Sequence, residues 1–226
     1  MMVDLSHSKG HRQRLRERIM QGGRDALHDY ELLEYVLGLA IPRRDTKPLA
    51  KSLIQKFGSF ASVISAEPQT LKAEELSDNV VATLKFIQAA ALELKRAAII
   101  KQPILSSWQA LLDYLHADMA HAMNEKMRVV YLNSNNLIVA DEVMSEGTVN
   151  HTSVYIREIM KRAMELGATA IILVHNHPSG DSSPSQDDIA VTKKIITAGS
   201  YLDVRVHDHV IIGKKGYTSL KSEGMI

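Results

Sequence analysis

The sequence contains no cysteine, few aromatic residues and no long apolar run. None of the 226 residues is cysteine, and Phe, Trp and Tyr together make up 5%. The lack of cysteine excludes disulfides, thiolate metal ligands and a cysteine nucleophile, so a metal would have to be held by His, Asp or Glu. No apolar segment approaches the roughly 18 residues of a membrane span, and the N-terminus lacks a hydrophobic signal core. We therefore predict a cytoplasmic protein without membrane contact.

The composition is otherwise that of a globular protein, with 45% hydrophobic and 23% charged residues. Lys and Arg (27) balance Asp and Glu (26), so the net charge of +1 gives no overall attraction to nucleic acid. Basic residues are nevertheless concentrated near the N-terminus, at Lys9, Arg12, Arg14, Arg16, Arg18 and Arg24. A solvated surface helix is the favoured interpretation because aromatic residues are not interleaved, while a weak DNA contact through this segment stays open.

The hydrophobic pattern changes its period near Pro103. Residues 1–102 carry apolar side chains at helical spacing, which predicts an all-α module. Residues 127–132 and 137–143 then resemble two strands joined by a tight turn, and helices and strands alternate afterwards. We therefore predict two domains, a helical domain over 1–102 and an α/β domain over 103–226.

Two histidines follow a short apolar strand pattern. His175 and His177 are separated by one residue, so a strand would direct both imidazoles to the same face. A helical pattern begins at Ser185, and Asp188 lies in its first turn. The Ser185-x-x-Asp188 spacing also matches a capping box, which needs no metal. Beside the two histidines, Asp188 could complete a His/His/Asp site with an open fourth position, as in catalytic zinc centres.

A hydrolytic zinc site also needs a proton acceptor, because the metal lowers the pKa of its water only to about 7. Glu142 and Glu146 both lie near the end of the second predicted hairpin strand. Glu142 falls inside the strand pattern, whereas Glu146 precedes a glycine and is more typical of a loop. We prefer Glu142 as the base, although either residue could be an ordinary exposed acid.

These motifs resemble the JAMM (MPN-plus) metalloprotease signature of the RadC-like branch, over about residues 104–226. The matching residues are Glu142, Gly147, Thr148, His175, Asn176, His177, Pro178, Ser179, Gly180, Pro184, Ser185, Asp188, Asp208, His209, Val210, Ile211, Ile212 and Gly213. The resemblance implies a cytidine-deaminase-like α-β-α sandwich. It also implies zinc on His175, His177 and Asp188, with Glu142 as the catalytic glutamate and Ser185 as the catalytic serine.

The activity implied by this resemblance is that of a zinc metallopeptidase or amidohydrolase. Glu142 would carry a proton to the leaving amine, and Ser185 would donate a hydrogen bond to the developing oxyanion. The substrate would be a peptide or isopeptide bond in an unidentified protein or peptide. Asn176, Asp208 and His209 match the same pattern, either as supports of the metal ligands or as structural residues.

Residues 29–33, 47–50, 57–60 and 91–96 also resemble RadC-like proteins, and the region 1–102 that contains them looks like a helix-hairpin-helix module in that family. The turn that would approach a DNA phosphate is Ser77-Asp78-Asn79 here, which lacks glycine and places an acid where an anion should bind. The basic segment from Lys9 to Arg24 and the association of the RadC-like family with DNA repair nevertheless motivate an alternative function, a DNA repair or recombination accessory protein with the JAMM domain as a metal-bound scaffold. A metal-bound binding module without activity is a third.

Overall fold

The computed structural model describes residues 5–100, 102–104, 106–146 and 152–226. Contacts between Cα atoms divide the chain into two compact units, Met1–Ala90 and Ala91–Ile226. The division falls inside a long helix, because Leu92 and Ile99 near its C-terminal end pack into the core of the second unit. The sequence boundary after residue 102 stays a prediction. No helix in the described ranges is long and apolar enough to cross a membrane.

Every regular element described in the first unit is a helix. The helices are α1 (Leu5–Gly22), α2 (Asp29–Ala40), α3 (Lys47–Phe57), α4 (Phe60–Ser65), α5 (Pro68–Lys72) and α6 (Asp78–Ile100), with a 3-10 turn at Gly23–Ala26. Their apolar faces meet around the fully buried Leu33, Leu37 and Leu84. A smaller cluster of Leu15, Leu27 and Leu32 attaches α1 to α2. The predicted all-α region is confirmed.

The second unit combines helices with one sheet. After α6 it contains α7 (Trp108–Met119), β1 (Lys126–Leu132), β2 (Ile138–Glu146), α8 (Thr152–Glu165), β3 (Ala170–Asn176), α9 (Gln186–Ser200), β4 (Arg205–Ile212) and β5 (Tyr217–Ser219). The strands form a five-stranded sheet in the order β2-β1-β3-β4-β5. β3 runs parallel to β4 and antiparallel to β1. The predicted hairpin corresponds to β1 and β2.

Side chains alternate between the two faces of the sheet, and each face is covered by helix. Val130, Leu132 and Val174 pack against α7. Val129, Tyr131 and Leu173 pack on the other face with residues of α8 and α9. This alternation follows from the two-residue period of a strand and yields helix, sheet and helix layers. The predicted fold class, an all-α region followed by an α/β sandwich, is confirmed.

A buried ionic cluster joins α7 to the sheet on the α7 side. The Arg128 guanidinium, in a residue only 9% exposed, donates to the Tyr114 hydroxyl (2.8 Å) and to Asp141 Oδ2 (2.7 Å), and it pairs with Asp118. Tyr114 donates its own proton to Asp141 Oδ2 at 2.7 Å. Burial, followed by the negative charge of Asp141, raises the pKa of Tyr114, which keeps the phenol protonated. The Arg128 side chain of β1 therefore links α7 and β2 to its own strand.

Candidate metal centre

The two predicted histidine ligands lie where β3 ends. His175 belongs to the strand and is 3% exposed, and His177 follows the last strand residue. Both rings face the same side, as the strand period predicts, and their Nε2 atoms are 2.9 Å apart. The loop after His177 is fixed by close backbone packing: a Cβ on Gly213 would lie 2.6 Å from the carbonyl oxygen of Gly180. The imidazoles therefore stand on a rigid strand and a fixed loop.

Asp188 joins the pair from the first turn of α9. Its Oδ1 lies 3.2 Å from His175 Nε2, and its Oδ2 lies 3.6 Å from His177 Nε2. The capping box is also present: the Asp188 amide donates to Ser185 Oγ, and Asp188 Oδ2 accepts from the Ser185 amide (2.7 Å) and hydroxyl (2.6 Å). The two carboxylate oxygens thus have different roles. Oδ2 accepts the hydrogen bonds that cap the N-terminus of α9, and Oδ1 faces His175.

Local charge keeps the Asp188 carboxylate ionised. Burial would raise the pKa of Asp188, but the adjacent His175 ring and the hydrogen bonds from the Ser185 amide and hydroxyl hold this pKa below its ordinary value. An ionised carboxylate is the form that binds a metal. The acid therefore needs no further proton release before it could act as a ligand.

The donor set fits a small divalent cation. His177 Nδ1 lies 2.8 Å from the Asp181 carbonyl oxygen, which can only accept, so Nδ1 carries a proton and Nε2 is the nitrogen that faces His175. Ligands 2.0–2.1 Å from a tetrahedral ion are roughly 3.3 Å apart, close to the observed gap between the two Nε2 atoms. Two imidazoles and one carboxylate suit zinc, and they also suit iron or cobalt.

A glutamate that the sequence interpretation did not select lies beside the histidines. Glu125, His175 and His177 each offer one ligand atom, and these atoms all lie within 4.8 Å of one another. Glu125 directly precedes β1, whose residue Met127 is in register with His175. Because β1 and β3 are antiparallel, the start of β1 meets the end of β3. Glu125 is exposed to solvent and could either bind a metal or exchange protons beside it.

The buried side chain of Asn176, between the two histidines, holds this glutamate in place. Its Oδ1 accepts from the Lys126 amide at 2.8 Å, and its Nδ2 donates to the Asn124 carbonyl oxygen at 3.1 Å. These two backbone groups flank Glu125 on either side. Asn176 is 1% exposed, so water competes little for either bond. The segment that carries Glu125 is therefore clamped to the same strand as the histidines.

Glu142, the base preferred from the sequence, does not join this group. Arg162 of α8 binds its carboxylate with two nitrogens, Nη2 to Oε1 at 2.7 Å and Nε to Oε2 at 3.0 Å. Glu142 pairs with Val129, and Val129 pairs with Leu173, so β1 lies between Glu142 and the histidine strand. Two strand spacings separate their backbones by roughly 10 Å. The structure brings His175, His177, Asp188 and Ser185 together, but it does not bring Glu142 to them.

The hydrogen bonds of Glu142 also affect its proton affinity. The bond from Arg162 is the main cause that lowers the pKa of Glu142, with the Arg162 charge adding to it. A general base works best when its pKa is close to the working pH. Catalysis by Glu142 stays a prediction, but its ion pair opposes that role. The side chain of Glu146, the other candidate, and residues Gly147 and Thr148 lie outside the described part of the chain.

His209 contacts the ring nitrogen of His175 that faces away from His177. It lies on β4 in register with Leu173, and its Nε2 is 2.8 Å from His175 Nδ1. Complete burial lowers the pKa of His209 to about 3, so the ring is neutral near pH 7. Its Nδ1 contacts Thr192 Oγ1 at 2.5 Å. A contact of this kind orients a histidine that binds a metal, and the predicted support of the metal ligands by His209 stays a prediction.

Comparisons with known proteins match the α/β domain and nearly the whole chain. The model of the RadC-like JAB domain matches residues 105–225. A UPF0758 protein of Rhodobacter capsulatus is 51% identical over 213 residues, which cover 94% of this chain and 100% of the relative. A UPF0758 protein of Ruegeria pomeroyi is 49% identical over 222 residues, which cover 98% of this chain and 99% of the relative. The chain therefore belongs to the family of UPF0758 proteins with a RadC-like JAB domain.

Proposed function

We propose that this protein is a metal-dependent hydrolase that cleaves a peptide or isopeptide bond in a protein or peptide substrate. The observation that carries the proposal is the convergence of His175 Nε2, His177 Nε2 and Asp188 Oδ1, with the exposed carboxylate of Glu125 beside them. Three acceptor groups around one point favour a cation. A solvent-facing carboxylate next to it gives the site a proton acceptor.

The ligands in this proposal are His175, His177 and Asp188, and the metal is zinc. Bound zinc would act as a Lewis acid and would lower the pKa of a water molecule to about 7. Glu125 would accept the proton from that water and deliver it to the leaving nitrogen. Its exposure suits this task, because a carboxylate in contact with solvent and substrate can exchange protons with both. Asn176 would keep Glu125 at a fixed distance throughout.

The role of Ser185 as an oxyanion donor depends on a change in its hydrogen bonding. Its hydroxyl proton is directed to Asp188 Oδ2 at 2.6 Å, so Ser185 would have to release this bond before it could donate to an oxyanion. Its support of Asp188 needs no such change. We therefore propose Ser185 first as the residue that orients Asp188, and as an oxyanion donor only where substrate draws the hydroxyl away.

Metal analysis is the first test of the proposal. The full-length chain is stripped of metal with a chelator and reloaded with zinc, and its zinc content is measured by inductively coupled plasma mass spectrometry. We expect about one zinc ion per wild-type chain, and His177→Ala should lose this stoichiometric binding because one of the three ligands is gone. A wild-type chain that retains no zinc after desalting would refute the proposed metal centre.

A pair of matched variants tests which glutamate handles the proton. Wild type, Glu125→Gln and Glu142→Gln are each loaded with zinc and incubated with a library of linear and lysine-branched peptides, with new amino termini counted by mass spectrometry. Glu125→Gln should keep zinc and lose about 100- to 10,000-fold in rate, whereas Glu142→Gln should lose less than tenfold. A larger loss of rate in Glu142→Gln than in Glu125→Gln would identify Glu142 as the general base. Loss of zinc from Glu125→Gln would make Glu125 a ligand.

The DNA-accessory alternative receives less support. Arg12 donates to the carbonyl oxygens of Pro42 and Arg44 in the segment between α2 and α3, Arg18 binds Glu31, and Arg24 binds Asp29. Three of the basic residues that suggested a DNA contact are thus engaged within the first unit. Titration with branched and single-stranded DNA at two salt concentrations tests the alternative, since phosphate binding weakens steeply with salt. A cytoplasmic location likewise stays a prediction.

A further inference from the structure

A line of buried hydrogen bonds connects the two halves of the proposed metal centre. It starts at His175 Nδ1, passes through His209 to Thr192 Oγ1 and ends at the Asp188 carbonyl oxygen, with separations of 2.8, 2.5 and 2.5 Å. Thr192 is fully buried and His209 is 1% exposed. The line therefore begins on one proposed ligand and ends on the backbone of another. Water is excluded from its two central members.

The chemistry of the last group sets the direction of every bond in the line. A carbonyl oxygen can only accept, so the Thr192 hydroxyl donates its one proton to Asp188. The Thr192 oxygen must then accept from Nδ1–H of His209. Nε2 of His209 then faces His175 Nδ1, and it accepts from Nδ1–H of His175 because a histidine that binds a metal through Nε2 carries its proton on Nδ1. The proton of His175 is thereby held on Nδ1, and its Nε2 is left for the proposed ion, which would also satisfy Nε2 of His177.

The opposite direction is unfavourable at its first step. It would make Thr192 donate to His209, and two acceptor oxygens, Thr192 Oγ1 and the Asp188 carbonyl, would then stand 2.5 Å apart without a proton between them. Such an unpaired buried contact is strongly destabilising. It would also give His175 a proton on Nε2, the nitrogen that faces the proposed ion.

We propose that Thr192 and His209 are positioning residues that fix the tautomer of His175 and hold α9 against β3 at metal-ligand spacing. The inference rests on the proposed metal centre. Thr192 gives the line its direction, because only its hydroxyl can donate to the carbonyl and accept from the imidazole at once. His209 transmits that direction from the helix to His175.

Removal of one hydroxyl tests the inference without a substrate. Thr192→Val keeps the shape of the side chain but offers His209 no acceptor, so His209 is free to move its proton to Nε2 and to force the wrong tautomer on His175. Zinc affinity of the full-length chain, measured by competition with a chromophoric chelator, should fall about 10- to 100-fold. Thr192→Ser retains the hydroxyl and should remain within about threefold of wild type.

Thr197 provides a matched control on the same helix. Its hydroxyl donates to the Lys193 carbonyl oxygen at 2.9 Å, the same backbone bond that Thr192 makes, and it is exposed. Thr197→Val should therefore bind zinc as wild type does. The inference would be overturned if Thr192→Val bound zinc as tightly as wild type does, and also if Thr197→Val lost as much zinc affinity as Thr192→Val. A wild-type chain without zinc affinity would instead refute the proposed metal centre itself.

A second measurement covers the case in which Thr192→Val does not fold. Long-range ¹H–¹⁵N spectra of the zinc-loaded wild-type chain report which ring nitrogen of each histidine carries a proton. We expect Nδ1–H for both His175 and His209. A proton on Nε2 of His209 would contradict the proposed direction, whatever the behaviour of the variants.

Discussion

The buried Arg128 cluster allows a prediction about stability that does not depend on the metal. Arg128→Met removes the single cation and leaves Asp141, whose side chain is 5% exposed, beside Asp118. A buried carboxylate without its cation costs about 3–5 kcal/mol of unfolding free energy. Asp141→Asn leaves Arg128 paired with Asp118 and still offers an acceptor oxygen, so it should cost only about 1–2 kcal/mol.

The double variant makes the test stricter. When Arg128→Met is combined with Asp141→Asn, the buried amide needs no cation, so the combined cost should fall below the sum of the single costs by about 1–2 kcal/mol. Equilibrium unfolding in urea can follow this unit by the fluorescence of Trp108, the only tryptophan of the chain, which packs against its core. If Arg128→Met costs no more than Asp141→Asn, or if the costs simply add, the argument from an uncompensated charge fails.

Three further predictions concern single contacts. Gly199→Ala should lower the unfolding free energy by about 1–3 kcal/mol, because an added Cβ would lie 2.2 Å from the Val204 carbonyl oxygen; an unchanged urea midpoint would contradict this. Asn176→Ala should cost about 2 kcal/mol and slow hydrolysis with zinc retained, since two buried backbone groups lose their partner; full activity would remove Asn176 from the positioning role. Glu31 has its pKa lowered chiefly by the hydrogen bond from Arg18, so its stabilisation is present above the unfolded pKa of about 4.3 and is lost as pH falls through the folded pKa. The stability difference between wild type and Glu31→Gln, followed by circular dichroism, should therefore shrink between pH 6 and pH 3, and a constant difference would count against the ion pair.

The local parts of the fold and site were predictable from the sequence. His175 and His177 lie on one face because the two-residue strand period requires it, and the Ser185 and Asp188 spacing predicted a capping box that the structure contains. These features depend on a few neighbouring residues. Their geometry follows from the backbone of a strand end or of a helix start, without knowledge of the rest of the chain.

The supporting residues required knowledge of the sheet topology. Glu125 reaches the histidines only because β1 lies between β2 and β3 and runs antiparallel to β3. The sequence pattern identified a hairpin but did not show which of its strands would border the histidine strand. Glu142 had a better position in the strand pattern, and the arginine that pairs with it lies 20 residues away on a helix. Thr192 gave no signal, since its role needs the parallel pairing of β3 with β4.

The capping box at the start of α9 also bears on which ions the site would accept. Because Asp188 Oδ2 already accepts two hydrogen bonds from Ser185, Oδ1 is the oxygen left to bind a metal, and these bonds favour coordination through that one oxygen. Calcium, which favours six to eight oxygens and often a bidentate carboxylate, would find too few of them here. A small ion with a preference for four ligands and for nitrogen would lose nothing by the same restriction. The hydrogen bonds that begin a helix would thus act as a filter for ion size and coordination number.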